Sequence, residues 1–116
     1  MKLVCGLIML SLLGFALPSS AKTSVSRNPA VIEIGRTLAR DNCARCHGIG
    51  RTDESPLEQA PPFRRLHERY PIEQLAEAFA EGIVVGHTEM PAFQLEPAQI
   101  DALLAYFGSL ERPPRK

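Results

Sequence analysis

From Asp41 to Gly48 the chain reads Asp-Asn-Cys-Ala-Arg-Cys-His-Gly, which sets two thiols and an imidazole within five consecutive positions. Residues i, i+3 and i+4 share one face of a helical turn, so Cys43, Cys46 and His47 can address one object. Cys-x-x-Cys-His at this spacing is the attachment signal of c-type haem. Two thiols reach the vinyl groups on one porphyrin edge while the imidazole reaches the iron. Two other chemistries compete for the same residues. A thioredoxin-like redox pair wants a βαβ setting, and a zinc site wants four protein ligands. The sequence offers neither the strands nor a second cysteine pair or paired-histidine cluster at ligand spacing.

A haem iron held by His47 on one side has a second axial position. Beyond residue 21 the chain holds one methionine, Met90, in the loop segment Met90-Pro91-Ala92-Phe93, and its lysines are Lys22 and Lys116, both near the ends. Elimination therefore favours Met90 as the second metal ligand, and His/Met is an axial pair of cytochromes c. His87 is the runner-up, with a partly exposed loop histidine as its plainer reading; His67, in the polar segment His-Glu-Arg-Tyr, reads as solvated.

The elements that must hold these groups read as helices. Asn28-Pro29 looks like an N-cap followed by proline at the first helical position. Val31, Ile32, Gly35, Leu38 and Ala39 then recur at helical spacing, which predicts a helix over 29–42 that delivers the chain directly into the motif. The stretch 49–62 is polar and proline-rich and reads as a loop, with a short helical turn near 64–68. Pro71 opens a second helix with Ile72, Leu75, Ala76 and Phe79 on one stripe and Gly82 at its C-terminal end. A third helix starts at Pro97 and runs to about Ser109, lined by Ile100, Leu103, Leu104 and Phe107 with Tyr106 beside them; Glu96 is a mediocre cap for it. No alternating strand pattern of useful length and no internal repeat is present. The expectation is an all-α domain: three main helices and long loops wrapped around one covalently attached haem.

Bulk properties set limits. With 116 residues, the chain forms at most one domain. Lys2, the apolar run from Leu3 to Leu17 and the small residues Ser19-Ser20-Ala21 have the layout of a secretory signal peptide over 1–21. The run is short of the roughly 20 residues of a membrane span, with an uncleaved N-terminal anchor as the alternative. Residues 22–28 then form a flexible segment, 29–110 the folded domain and 111–116 a disordered tail. Thirteen basic and thirteen acidic side chains balance, which gives nucleic acid no electrostatic footprint. A domain this small needs a staple, and a disulfide between Cys43 and Cys46 would close too small a loop to serve. Haem bound through both sulfurs would.

Taken together, Cys43-Ala44-Arg45-Cys46-His47, Ala60-Pro61-Pro62-Phe63, Met90-Pro91-Ala92-Phe93 and the first and last helices resemble a class I c-type cytochrome, over nearly the whole chain beyond residue 21. Cytochrome c′, whose motif lies near the C-terminus of a four-helix bundle, fits poorly. The resemblance implies that Pro61, with Pro62 as the alternative, accepts a hydrogen bond from His47 through its carbonyl, raising the basicity of the ring. It also implies that the first and last helices cross at a small residue against an aromatic one, Gly35 meeting Tyr106 or Phe107. Ala60 departs from the glycine that family members often carry. Among Arg64, Arg65 and Arg69, Arg64 is the expected partner of a haem propionate, and the cluster could also steer docking. Phe63, Phe79, Ile83, Phe93 and Leu103 are the expected pocket walls.

The functional expectation is a periplasmic monohaem electron carrier, not an enzyme, that passes single electrons between redox protein partners. It would be a monomer, without stable membrane insertion once the signal is cleaved. Two alternatives stand beside it. One is a haem subunit of a specific dehydrogenase complex. The other is an open-site haem protein with a peroxidase or gas-sensing role.

Overall fold

The computed structural model describes residues 24–82 and 90–111. The expected signal peptide, the first residues of the flexible segment, Ile83, His87 and all but the first residue of the expected tail lie outside the described residues. All regular structure among the described residues is helical.

Helix α1 spans Pro29–Asn42. Its start is built as the sequence implies: the Asn28 side chain accepts from the Ala30 N–H at 3.0 Å, and Pro29 sits where a missing N–H costs nothing. Gly35 and Ala39 are its buried residues, whereas Ile34 is 55% exposed. After a 3-10 turn at Phe63–Glu68 and another at Ile72–Gln74, α2 runs from Leu75 to Glu81 and ends at Gly82 with φ 92°. The segment after Pro71 is thus not one continuous α-helix. No side chain caps its start, and the first turn winds tightly instead.

Helix α3 spans Pro97–Glu111, two residues beyond the expected end. Its start is better made than Glu96 alone suggests: the Gln99 side chain reaches back to accept from the Glu96 N–H at 3.0 Å, which is half of a capping box. Ile100, Ala102, Leu103, Leu104, Ala105, Tyr106, Phe107 and Leu110 are all buried, so α3 is apolar around most of its circumference, as a central helix must be. Helix α1 covers one side, the Phe63–Glu68 turn a second and α2 a third.

The α1–α3 crossing explains why α3 buries a wider face than its stripe predicts. A Cβ at Gly35 would lie 2.6 Å from the Ala102 carbonyl carbon and 2.8 Å from Tyr106 Cβ. Only glycine lets the backbones approach that closely, so Ala102 and Tyr106 are buried along with the expected residues. Of the two aromatics expected at the crossing, Tyr106 is the one in contact. Phe107 turns inward, with its ring 4.7 Å from Phe63 in an edge-on arrangement and 6.3 Å from Phe79.

Candidate functional site

The last residue of α1 leads straight into the motif, so the orientation of Cys43 is set by the α1–α3 crossing. Cys43 N–H bonds to Ala39 O at 2.8 Å, and His47 N–H bonds to Cys43 O at 2.9 Å, which carries a helical turn through the motif. Cys43 and Cys46 are both half-buried and are not joined to each other. Burial, with a smaller contribution from neighbouring Cys46, pushes the Cys43 thiol up to about 11. A thiol so raised is a poor thiolate nucleophile, which argues against a thioredoxin-like pair. Among the described residues no group of three or more His, Cys, Asp or Glu side chains converges as a metal cage.

His47 is 9% exposed, and its Nδ1 lies 2.8 Å from the carbonyl oxygen of Pro61. A carbonyl can only accept, so Nδ1 carries the proton and Nε2 carries the lone pair of the neutral ring. The Phe63 ring stands 5.0 Å from the imidazole, centroid to centroid.

The chain after the motif is bound to the loop that supplies Pro61. Cys46 O accepts from Leu57 N–H at 3.1 Å, and Gly48 O accepts from Phe63 N–H at 2.8 Å. Gly48 N–H donates to Ser55 Oγ at 2.9 Å, and Ile49 N–H donates to Asp53 Oδ2 at 2.8 Å. A Cβ on Gly48 would sit 2.5 Å from Asp53 O, so glycine is required for the loop to lie this close. Ala60, in place of the glycine frequent in the resembling family, fits while 3% exposed, its N–H on Leu57 O.

Arg64 closes the loop from its far end. One terminal nitrogen donates to Asp53 O and the other meets the Glu54 carboxylate at 2.7 Å. Its guanidinium thus ties the two ends of the loop together. Arg65 pairs with Glu68. His67 and Tyr70 are exposed.

A second set of ties binds the stretch after the motif to α3. Tyr106 donates its hydroxyl to Ile49 O at 2.6 Å, and Arg51 donates to Ser109 O at 2.6 Å and to Leu110 O at 3.4 Å. The guanidinium thus faces the carbonyl end of the helix, where positive charge is favoured. Burial keeps the Tyr106 phenol above the ordinary tyrosine range. The folded chain then retains a proton that the unfolded chain gives up. This contribution is whole below the unfolded value, about pH 10, and is lost as pH rises through the folded value. Chemical denaturation as a function of pH should show stability falling above about pH 10. Tyr106→Phe should flatten that fall and lower stability at neutral pH by about 1 kcal/mol, the worth of one hydrogen bond.

Met90 is half-buried and packs against the core cluster of Phe63, Leu66, Ile72, Phe79, Leu103 and Phe107. Its loop is pinned to α2 by a hydrogen bond from Leu95 N–H to Phe79 O at 3.0 Å. Of the expected pocket walls, Phe63, Phe79 and Leu103 are buried and Phe93 is half-buried.

The cytochrome c family model matches residues 32–111. The chain belongs to the cytochrome c family. No curated protein and no solved structure matched the chain. The match takes in α1 from Ile32, the motif, the Pro61 loop, Met90 and all of α3. This cytochrome has the class I arrangement: the attachment motif follows the first helix and the last helix packs across it. Haem-based electron transfer is the family's function, and its haem is covalent. The residues present fit such a group, with two uncombined thiols on one turn, an imidazole whose tautomer leaves the lone pair on Nε2, and an apolar surround. No helix among the described residues is long and apolar enough to cross a membrane.

Sequence reasoning missed Asp53, Ser55 and Arg51, and the tie that Arg64 makes to Asp53 and Glu54. Only the Asp-Glu-Ser run after the motif, rich in side chains that bond backbone N–H groups, hinted at the first two.

Proposed function

We propose that this cytochrome is an exported, monomeric carrier of single electrons, with one haem joined through Cys43 and Cys46 and held axially by His47 and Met90. The bond between His47 Nδ1 and Pro61 O, 2.8 Å long, is the observation that carries the reading. It presents the Nε2 lone pair as a ligand and makes the ring a stronger donor. Bound haem would supply a one-electron Fe(II)/Fe(III) couple.

The chain's residues do the rest. His47 is held by Pro61 and flanked by Phe63, so its ring keeps one orientation in both oxidation states. Met90 offers a thioether, which favours the ferrous form. Phe63, Phe79, Leu103 and Phe107 exclude water, which disfavours additional positive charge. The thioether and the exclusion of water favour a relatively high potential. The signal-like layout of residues 1–21 supports a periplasmic location, where redox proteins would be the partners.

Carbon monoxide separates this reading from an open-site haem protein. The ferrous holoprotein at neutral pH should keep its spectrum when titrated with the gas, because Met90 would hold the iron against an incoming ligand. Tight binding would assign the site to gas or peroxide chemistry instead.

A further inference from the structure

We propose that Arg64 is a positioning residue for His47: by tying Asp53 and Glu54 to the end of the loop, it fixes the Pro61 carbonyl and so tunes the electron affinity of the site. The inference rests on the reading of His47 as an axial ligand.

Four backbone groups adjoining His47, namely Cys46 O, Gly48 N–H, Gly48 O and Ile49 N–H, are bonded to Leu57, Ser55, Phe63 and Asp53. Three of these partners lie in the loop that also supplies Pro61, and Phe63 opens the turn that follows it. Arg64 joins the two limbs of that loop: it sits three residues after Pro61 and grips Asp53 O and the Glu54 carboxylate, eleven and ten residues earlier in the chain. Its side chain is 22% exposed, whereas that of Glu54 is 83% exposed. The contact to the Asp53 carbonyl is therefore the principal tie, and the ion pair adds little. Planar, forked guanidinium geometry suits this double grip better than a lysine ammonium would.

Loss of the grip lets the Pro61 limb drift from Nδ1. A weaker bond leaves the imidazole less basic, the ferric state less well supported and the potential higher. A merely structural arginine would lower global stability and leave this ordering untouched.

The test uses the reduced holoprotein. Hydrogen exchange is followed by NMR at His47 Nδ1–H, at the Gly48 and Ile49 amides and, for reference, at amides in the middle of α3, alongside the midpoint potential. In Arg64→Met the three loop-facing protons should exchange roughly tenfold faster, about the worth of one lost hydrogen bond, while the α3 amides keep their rates and the potential rises. Arg64→Lys, which restores one donor, should fall between Arg64→Met and the native protein. Unchanged exchange at His47, uniform acceleration that includes α3, or a fall in potential would overturn the assignment. Should Arg64→Met fail to fold, Arg64→Lys decides: it keeps the charge but loses the fork, so it should raise the same three rates by less, and native rates at all three would overturn the proposal. Absence of covalent haem in the native protein would instead refute the axial-ligand reading, while the Gly48 and Ile49 exchange rates would still report on the clamp.

Discussion

Gly35→Ala should destabilise the protein by about 3 kcal/mol, the upper end of what overpacking a well-filled contact costs. On an exposed helix the same change would stabilise by about 1 kcal/mol, because alanine loses less backbone freedom than glycine. The sign reverses here because the added methyl would meet the backbone of α3: the Ala102 carbonyl carbon at 2.6 Å, with the oxygen nearer still. A backbone cannot swing aside as a long side chain does, so the helices must separate. Separation loosens Tyr106 from Ile49 and shifts the turn bearing Cys43 and His47, since α1 runs directly into it. Equilibrium denaturation of the purified variant checks the prediction, and native or raised stability would show that the crossing is looser than described.

Met90→Ala should abolish the long-wavelength charge-transfer band of the oxidised protein and lower its midpoint potential by roughly 0.1 V or more, within the roughly 0.8 V that axial ligands command. Under the proposed ligation the band would come from Met90 sulfur held on ferric iron. The potential falls because the thioether is what favours the ferrous form. Loss of packing would also lower stability by about 2 kcal/mol, modestly because Met90 is only half-buried and stands at the edge of the core cluster. The two effects are separable: Met90→Leu keeps most of the packing and should still lose the band. A band that survives either substitution removes Met90 from the site.

Part of this architecture could be read from the chain because the signals were local. Asn28-Pro29 is a start signal complete within two residues, and α1 begins there. The apolar spacing of Ile100, Leu103, Leu104 and Phe107 marked the central helix, though not that Ala102 and Ala105 would be buried too. The close approach at Ala102 depends on Gly35, which lies on another helix, so no window along α3 contains the information. The cap of α3 depends on Gln99 reaching back to Glu96, a half-motif that Glu96 by itself does not announce. The loop was hardest to read. Ser55, Asp53 and Arg64 bond to backbone groups four to eleven residues away, and such pairings have no periodicity. Arg64 is expected at a propionate because clustered arginines beside a haem loop suggest an anion; its bonds to Asp53 O and the Glu54 carboxylate had no signal in the sequence. His47 and Pro61 lie 2.8 Å apart, a pairing that came from likeness to a family, since spacing alone does not single out which proline carbonyl faces an imidazole.

The claim beneath all of this is that the polypeptide surrounds a haem bound through Cys43 and Cys46. Its most direct test is the intact mass and absorption spectrum of the protein isolated from a host that matures c-type cytochromes. The account predicts the polypeptide mass plus one haem, retained under denaturing conditions, with a Soret band. A polypeptide of bare mass with no Soret absorbance would contradict it.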